Sequence, residues 1–321
     1  MSRRTLLGGL LAAAFGPRLS FAQGVWPDKP IRLVVPFPPG GSVDPLARVL
    51  AQHLGTTFRQ QVIVDNRPGG NAVIGTEFVA KAPADGHTLL ISATSHVTNP
   101  QLVKTGYDPL RDFEPVATLS SSDMVLVVHP SVPAANLREF IALAKSRPGQ
   151  LNYSSAGSGN PNHLAGELFD MLAGVKTTHV PYKGGAPAVN DLVGGQVQFH
   201  YGSPINVMPF IQQGRLKPLA VSSPTRMALL PNVPTFQEAG VPGYQVRVWY
   251  GVLAPAGTPR EVLDRVGAEI NRIVALPETK ERLDAAGMER FTLSRQQFAD
   301  TLRADHEKFG QIIRTAGVKL D

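Results

Sequence analysis

The feature that most constrains this chain is a unit that recurs from residue 31 onwards: a short run of Val, Ile or Leu, a glycine-rich turn, and an amphipathic helix. Ile31–Pro36 is such a run, Pro38–Ser42 is the turn, and Val43–Leu54 has apolar residues at helical spacing. Strands that lead into helices through short turns are typical of α/β folds. At 321 residues, the chain is long enough for about two such domains.

The same pattern predicts further strands and helices along the chain. Asn160 followed by Pro161 is a typical helix start, and Ser294 with Gln297 has the spacing of a capping box. The predicted strands are Ile31–Pro36, Val62–Asp65, Thr88–Ala93, Met124–Val128, Leu151–Ser154, Thr178–Pro181 and Val246–Leu253. The predicted helices are Val43–Leu54, Thr76–Lys81, Leu137–Lys145, one that begins at Pro161, Ala186–Val193, Glu261–Leu276, Pro277–Ala286 and Ser294–Thr315.

Residues 1–22 predict an export signal. Arg3–Arg4 is a basic start, Thr5–Phe15 is a short apolar stretch, and Ser20–Ala22 fits a cleavage site, so the mature chain is expected to begin near Gln23. The paired arginines leave both the twin-arginine and the general secretory route open. No segment reaches the ~18 apolar residues of a membrane span, so no membrane anchor is predicted.

Composition and motifs exclude several classes of site. The chain has no cysteine, which rules out disulfide scaffolds, thiolate metal centres and cysteine nucleophiles. After the export signal, basic residues exceed acidic ones by only three, which is too few for a nucleic-acid surface. The HExxH, GxSxG and GxxxxGK[ST] motifs are absent, and the histidines lack paired metal spacing. We therefore predict no catalytic residue, no metal site and no organic cofactor.

The glycine-rich turns remain as candidate binding elements. Backbone N–H groups without a helical partner and the positive end of the helix dipole meet where each helix begins, and together they favour an anion. Any one of these turns is more often a plain turn. Asp44 is better explained as a structural first-turn carboxylate, and Lys183 is explained at least as well as a solvated side chain. Hydroxyl and glycine residues at the strand ends nevertheless suit a binding cleft better than a catalytic site.

Seven motifs occur in a consistent order from Trp26 to the C-terminal part of the chain. They are WPDKPI (26–31), VPFPPGGSVD (35–44), DNRPGG (65–70), DGHTLL (85–90), VPYKGGAPA (180–188), LPNVPTFQEAG (230–240) and WYGVLAPAGTP (249–259). In these motifs the chain resembles the tripartite tricarboxylate transporter receptors, also called Bug receptors.

The resemblance implies a periplasmic-binding-protein-like α/β fold, with two α/β lobes joined by two crossing strands around a ligand cleft. The first crossing is expected near residues 119–125 and the return near 245–251, with the C-terminal helices back in the first lobe. Residues 23–122 and 250–321 would then form lobe I, and residues 123–249 would form lobe II.

The function implied by the resemblance is that of a periplasmic solute-binding receptor, not of an enzyme. It would close over a small organic carboxylate and deliver it to the membrane subunits of a tripartite tricarboxylate-type transporter. We expect a monomer without a cofactor. A periplasmic ligand sensor whose closed form docks to a signalling partner is the alternative, and the sequence does not separate the two. An exported hydrolase would require a nucleophile and a base that do not appear.

The resemblance also implies that two facing loops hold the carboxylate through backbone amides and hydroxyls, without a required arginine. The first loop is Pro39–Asp44, supported by Ser92–His96, and the facing loop is Ser155–Asn160 followed by His163. Tyr182–Gly184 and Tyr201–Ser203 would complete the second wall. The candidate ligand-binding residues are Gly40, Gly41, Ser42, Asp44, Ser92, Thr94, Ser95, Ser158, Gly159, Asn160, His163, Tyr182, Lys183, Tyr201 and Ser203.

The chain departs from the family pattern at three places. Gln196–Ser203 lacks the aspartates that are common there, Gly69–Ala72 replaces a more usual Gly-Ala-Gly-Gly, and His87 stands where an aromatic residue is common. The first departure implies a different distal group on the ligand.

Overall fold

A computed structural model describes residues 26–39 and 43–320 of the chain. The predicted export signal lies outside the described residues, and so do three of the candidate ligand-binding residues, Gly40, Gly41 and Ser42.

Strands and helices alternate along most of the chain. The longest helix has 22 residues, and no described helix is both long and apolar enough to cross a membrane. In chain order the first elements are β1 (Ile31–Val35), α1 (Asp44–Phe58), β2 (Val62–Asn66), α2 (Val73–Ala80), β3 (Thr88–Ala93), α3 (Ser95–Leu102), β4 (Phe113–Asp123), β5 (Val125–Val128), α4 (Leu137–Ser146), β6 (Asn152–Ser155) and α5 (Pro161–Ala173). They are followed by β7 (Thr178–Pro181), α6 (Gly185–Val193), β8 (Phe199–Gly202), α7 (Pro204–Gln212), β9 (Lys217–Val221), β10 (Arg247–Pro255), α8 (Arg260–Val274), α9 (Pro277–Ala285), β11 (Glu289–Arg290) and α10 (Arg295–Ala316).

The elements predicted from sequence are all present, with ends that differ by a few residues. β3 and β7 have the predicted bounds, and the capping box at Ser294 and Gln297 is formed. The pattern did not predict α3, α7, β4, β8, β9 or β11. Pro100 lies inside α3 and Pro209 inside α7, and an internal proline argues against a helix when only the sequence is read.

The strands form two separate sheets. The six-stranded sheet has the order β11-β4-β10-β3-β1-β2, and the five-stranded sheet has the order β7-β6-β8-β5-β9. We call the six-stranded sheet, with the helices packed on it, the first lobe. The five-stranded sheet, with its helices, is the second lobe. Strand pairs joined through a helix, such as β1 with β2 and β6 with β7, are parallel, while β10 pairs antiparallel with both β3 and β4. The predicted two-lobe α/β fold is confirmed.

Both faces of each sheet are covered. In β1, Leu33 belongs to the cluster that includes α1 and α8, whereas Val34 faces a cluster with α3 and α10. In β5 of the second sheet, Leu126 belongs to one hydrophobic cluster and its neighbour Val125 to another. Burial on both faces explains why these strands are continuous apolar runs rather than alternating ones.

Two antiparallel strands carry the chain between the lobes. β4 and β10 are paired from Phe113 with Pro255 to Asp123 with Arg247, in agreement with the expected crossing positions. At the end of this pair, the Arg247 guanidinium donates hydrogen bonds of 3.1 and 3.0 Å to the buried carboxylate of Asp123. β5 of the second sheet begins two residues after Asp123. The ion pair therefore lies where the chain passes from one sheet to the other.

The last helix, α10, packs on both lobes. Phe298 and Leu302 belong to a cluster with strands of the first sheet, whereas Phe309 and Ile312 pack with the core of the second lobe. The sequence analysis returned this helix to the first lobe alone, so it missed the second contact. The exact lobe boundaries, at residues 122 and 249, stay a prediction.

We predict that Ser294→Ala lowers the free energy of unfolding by about 1 kcal/mol, because it removes the cap of α10. Ser294 Oγ accepts a 3.2 Å hydrogen bond from the Gln297 amide, and the Gln297 side chain accepts one of 2.9 Å from the Ser294 amide. Urea denaturation measures the change. Ser294→Asp keeps an acceptor at this exposed position and should stay close to wild type. Equal losses in both variants would contradict the capping role.

Candidate functional site

A cleft of about 410 Å³ lies between the two lobes. Its size is within the range of roughly 300–1,000 Å³ that is common for small-molecule sites. Both sheets, the crossing strands and the segment between α9 and β11 contribute residues to its lining.

In the first lobe, three helices begin at the cleft. Val43 is the N-cap of α1, Asn71 lies two residues before α2, and Ser95 is the first residue of α3, and all three line the cleft. In an α/β fold each helix starts near the carboxyl end of the preceding strand, which is where ligands of such folds bind. The first lobe therefore directs three positive helix ends at one space.

The second lobe repeats this arrangement. Asn160 is the N-cap of α5, Gly185 is the first residue of α6, and Ser203 is the N-cap of α7, and each lines the cleft. The Asn160 side chain accepts a hydrogen bond from the Asn162 amide, and Pro161 occupies the first turn, as the sequence predicted. Six helix N-termini thus border one cleft, three from each lobe.

The start of α2 has a strained backbone. Asn71 and Ala72 have φ values of 53° and 76°, in the left-handed region that favours glycine. These residues belong to the segment where the chain departs from the family pattern of glycines. Asn71 is held by two hydrogen bonds with Asn99: its side chain donates to that of Asn99, and its carbonyl accepts from it. Strain of ~1–3 kcal/mol at a residue that lines a cleft is typical of a functional position.

The crossing strands form the floor of the cleft. Val248 and Tyr250 are two residues apart on β10, so they face the same side of the sheet. Ser122, near the end of β4, lies opposite Val248, and Met124 follows that strand. Ala286 and Met288 extend this surface from the segment before β11.

No Asp, Glu, Lys or Arg side chain lines the cleft among the described residues. The titratable groups of the lining are His200 and Tyr250. Burial lowers the pKa of His200 to about 4 and raises the pKa of Tyr250, so both side chains are uncharged at neutral pH. The described part of the chain also holds no group of three or more His, Asp or Glu side chains placed to bind a metal ion.

Four of the candidate residues line this cleft. They are Ser95, Gly159, Asn160 and Ser203. Ser95 Oγ is buried and has no hydrogen-bond partner among the described residues. The Gly159 amide is already used, because it donates a 3.0 Å hydrogen bond to His163 Nδ1. At Gly159 we therefore expect the missing side chain to let the ligand approach the backbone closely. We do not expect the Gly159 amide to donate a hydrogen bond to the ligand.

In the first lobe, the other candidates with described positions hold the structure around the cleft. The Asp44 carboxylate accepts hydrogen bonds from Arg48 and from Asn66. Thr94 Oγ1 accepts one from the Trp249 amide, which ties the end of β3 to β10. Ser92 is fully buried and outside the lining, and its hydroxyl has no partner among the described residues.

In the second lobe, His163 supports the loop that ends at Asn160. Its ring stacks on that of His179 with centroids 3.6 Å apart, and its Nε2 lies 3.4 Å from the Glu167 carboxylate. Ser158 is half-buried beside Gly159 and does not belong to the lining. These residues position the loop and do not themselves line the cleft.

The remaining candidates lie away from the cleft. Tyr182 donates a 2.7 Å hydrogen bond to Asp191, and burial together with that bond raises its pKa to about 12. Lys183 is exposed and does not line the cleft. Tyr201 is buried in the core of the second lobe, where only its carbonyl meets a lining residue, by accepting a hydrogen bond from Asn162.

Sequence reasoning did not single out several residues of the lining. Asn162 and Asn206 follow predicted or typical helix starts, so a search of the first helical turn would have found them. His200 precedes Tyr201 on β8, and the sequence analysis had examined the histidines only for metal spacing. Met124, Val248 and Met288 carry no local signal, because their common surface depends on strand pairing.

The two lobes touch beside the cleft. A Cβ atom on Gly287 would lie 2.7 Å from the backbone nitrogen of Ile205, in α7 of the second lobe. In the second lobe, a Cβ atom on Gly159 would lie 2.5 Å from the side chain of Leu102, in α3 of the first lobe. Because glycine has no side chain, these two positions allow the lobes to approach each other.

We predict that the free energy of unfolding falls as the pH decreases from 6.5 to 4. Burial lowers the pKa of both His96 and His200 to about 4, so these rings stay neutral in the folded protein while the unfolded chain takes up protons. Each such histidine costs ~1.4 kcal/mol of stability per pH unit in this window. Burial raises the pKa of Asp170 to about 6, so this carboxyl takes up its proton at a higher pH in the folded protein than in the unfolded chain. This one group therefore raises the free energy of unfolding as the pH falls, against the two histidines that lower it.

Urea denaturation between pH 7 and pH 4 checks this dependence. His200→Gln removes one of the two groups and should reduce the slope. An unchanged slope in that variant would contradict the assignment to His200.

The chain is similar to a family of known proteins over most of its length. The model of the tripartite tricarboxylate transporter family receptor matches residues 46–318. BugT of Bordetella pertussis is 34% identical over 323 residues, which cover 100% of this chain and 99% of that protein.

Two solved structures of similar proteins carry a named ligand. R. palustris Rpa4515 with adipate is 35% identical, has a TM-score of 0.76, and is matched over 92% of this chain and 99% of that one. MatC (Rpa3494) from Rhodopseudomonas palustris with bound malate is 30% identical, has a TM-score of 0.72, and is matched over 90% and 100% of the two chains.

Proposed function

Since the chain belongs to the tripartite tricarboxylate transporter receptors, we propose that it is a periplasmic receptor for a small organic carboxylate. It delivers this ligand to the membrane subunits of a tripartite tricarboxylate-type transporter. It acts as a binding protein and catalyses no reaction. No feature of the described residues favours the alternative of a sensor that docks to a signalling partner.

The observation that carries this function is the set of six helix N-termini around a cleft without charged side chains. Helix N-termini attract anions through their backbone N–H groups and their dipoles. A carboxylate placed among helix ends of both lobes would bind both of them. The adipate and malate of the two similar structures support an organic acid as the ligand.

Export and organisation complete the proposal. Residues 1–22 act as the export signal, through the twin-arginine or the general secretory route, and the mature chain begins near Gln23. Residues 23–122 and 250–321 form the first lobe, residues 123–249 form the second, and the receptor is a monomer.

We propose that Gly40, Gly41 and Ser42 bind the carboxylate together with the residues at the start of α5. Ser95 and Asn160 line the cleft from opposite lobes. The buried hydroxyl of Ser95, without a partner among the described residues, supports a role as a hydrogen-bond donor to the ligand.

A thermal-shift titration of the mature protein against mono-, di- and tricarboxylic acids tests the function. At a ligand concentration of 100 times Kd, binding stabilises a protein by about 2.7 kcal/mol, which gives a clear shift. We expect a selective shift by one class of acid and recovery of the acid unchanged. The absence of a shift for every acid, from protein unfolded and refolded to remove co-purified ligand, would contradict the proposal.

We predict that Ser95→Ala weakens binding of that acid at least tenfold, because a hydrogen bond to a charged group contributes ~1.5–3 kcal/mol. Isothermal titration calorimetry measures the affinity. Ser92→Ala is the matched control, because the Ser92 hydroxyl is also buried without a partner among the described residues, yet lies outside the lining. It should bind like wild type. Equal affinities of the two variants would contradict the assignment of Ser95.

Closure of the lobes gives a further prediction. Gly287→Ala should weaken binding about tenfold, because the added methyl group clashes with Ile205 of the second lobe at a cost of ~1.4 kcal/mol or more. Gly174→Ala is the control, since φ is 62° at Gly174 and 63° at Gly287, but a Cβ atom at Gly174 meets no atom within 4 Å. Calorimetry gives the affinities and solution X-ray scattering the compaction on binding. Wild-type binding by Gly287→Ala would exclude this contact from the closed state.

A further inference from the structure

The floor of the cleft is a mainly apolar surface that also contains the Ser122 hydroxyl, which donates a 3.4 Å hydrogen bond to the Gly287 carbonyl. Val248 and Tyr250 project from one face of β10, and Met124 lies beside them after the end of β4. Met288 continues the surface, and Ile205 of the second lobe borders it. The helix N-termini provide the polar part of the lining, so a ligand whose carboxylate binds there would rest its remaining atoms on this floor.

Two arginines next to lining elements are already paired, and Lys183 is exposed and outside the lining. Arg247 precedes Val248 on β10, so it faces the opposite side of the sheet, where it donates two hydrogen bonds to Asp123. Arg48 is bound to the Asp44 carboxylate. A second carboxylate on the ligand would therefore meet no free cation at the floor, and burial of an unpaired charge is costly.

His200 adds an acceptor to the lining rather than a charge. Its Nδ1 lies 2.8 Å from the carbonyl oxygen of Ser154, so Nδ1 carries the proton and donates it. In the neutral ring, Nε2 is then an acceptor. An acceptor nitrogen repels a carboxylate, but it tolerates an apolar group or binds a hydroxyl.

We propose that this receptor takes a monocarboxylate with an uncharged, mainly apolar body, either aliphatic or aromatic, and discriminates against dicarboxylates. This inference rests on the proposed function. It differs from the adipate and malate of the two similar structures, which are dicarboxylates. Met124, Val248, Tyr250 and Met288 are the residues that determine this specificity.

Two matched pairs of acids test the proposal on the mature protein at pH 7.5, after unfolding and refolding to remove co-purified ligand. Hexanoate and adipate share a six-carbon chain, and benzoate and terephthalate share an aromatic ring. In each pair the two acids differ by one carboxylate. Calorimetry should show that the monocarboxylate of at least one pair binds no less than tenfold more tightly than its dicarboxylate.

A charge placed at the border of the floor should reduce this preference. Ile205→Lys introduces an ammonium group at a side chain that is 45% exposed, so the protein should still fold. We expect the ratio of monocarboxylate to dicarboxylate affinity to fall at least fivefold. Leu229→Lys is the matched control, because Leu229 is 60% exposed and lies outside the lining. It should leave the ratio unchanged.

The outcomes separate this inference from the proposed function. Equal or tighter binding of the dicarboxylates would overturn the inference and leave the carboxylate receptor in place. Failure of all four acids to bind would overturn the inference, and failure of the whole panel of organic acids would overturn the proposed function as well. An unchanged ratio in Ile205→Lys would contradict the role of this floor in selecting the ligand.

Discussion

The pairing of β4 with β10 is the interaction on which the rest of the structure depends. These strands belong to the first sheet and carry the chain out to the second lobe and back. Because side chains alternate along β10, Val248 and Tyr250 face the cleft, while Trp249 packs on Phe298 and donates a hydrogen bond to Asp305 of α10. One strand pair thus forms the connection between the lobes, the floor of the cleft and the support of the last helix.

Positive potential in the cleft comes from the backbone and not from side chains. Helix ends are held by the fold itself, so they bind an anion without the loss of side-chain entropy that a long cationic side chain would suffer. Two arginines next to the cleft are engaged elsewhere, Arg247 with Asp123 and Arg48 with Asp44. An anion can therefore be selected by its shape and by the apolar floor, where a second carboxylate would meet no charged side chain among the described lining residues.

Much of the fold could be predicted from local patterns, because apolar spacing and helix caps depend on neighbouring residues. The start of α5 at Asn160 and Pro161 and the capping box at Ser294 are examples. The candidates that line the cleft, such as Ser95 and Ser203, also belong to helix starts. Tyr182 does not line it, and its partner, the carboxylate of Asp191, is one that the sequence does not reveal.

By itself, the sequence determined the alternation of strands and helices, the helix starts that carry the site, and the family. Only the tertiary structure decided which residues form the floor, since Met124, Val248 and Met288 meet through the pairing of strands that are far apart in the chain. It also decided that His200 is neutral, because burial and the Ser154 carbonyl set its charge and its proton. The physical reason is that helix starts depend on local residues, whereas burial and pairing depend on distant ones.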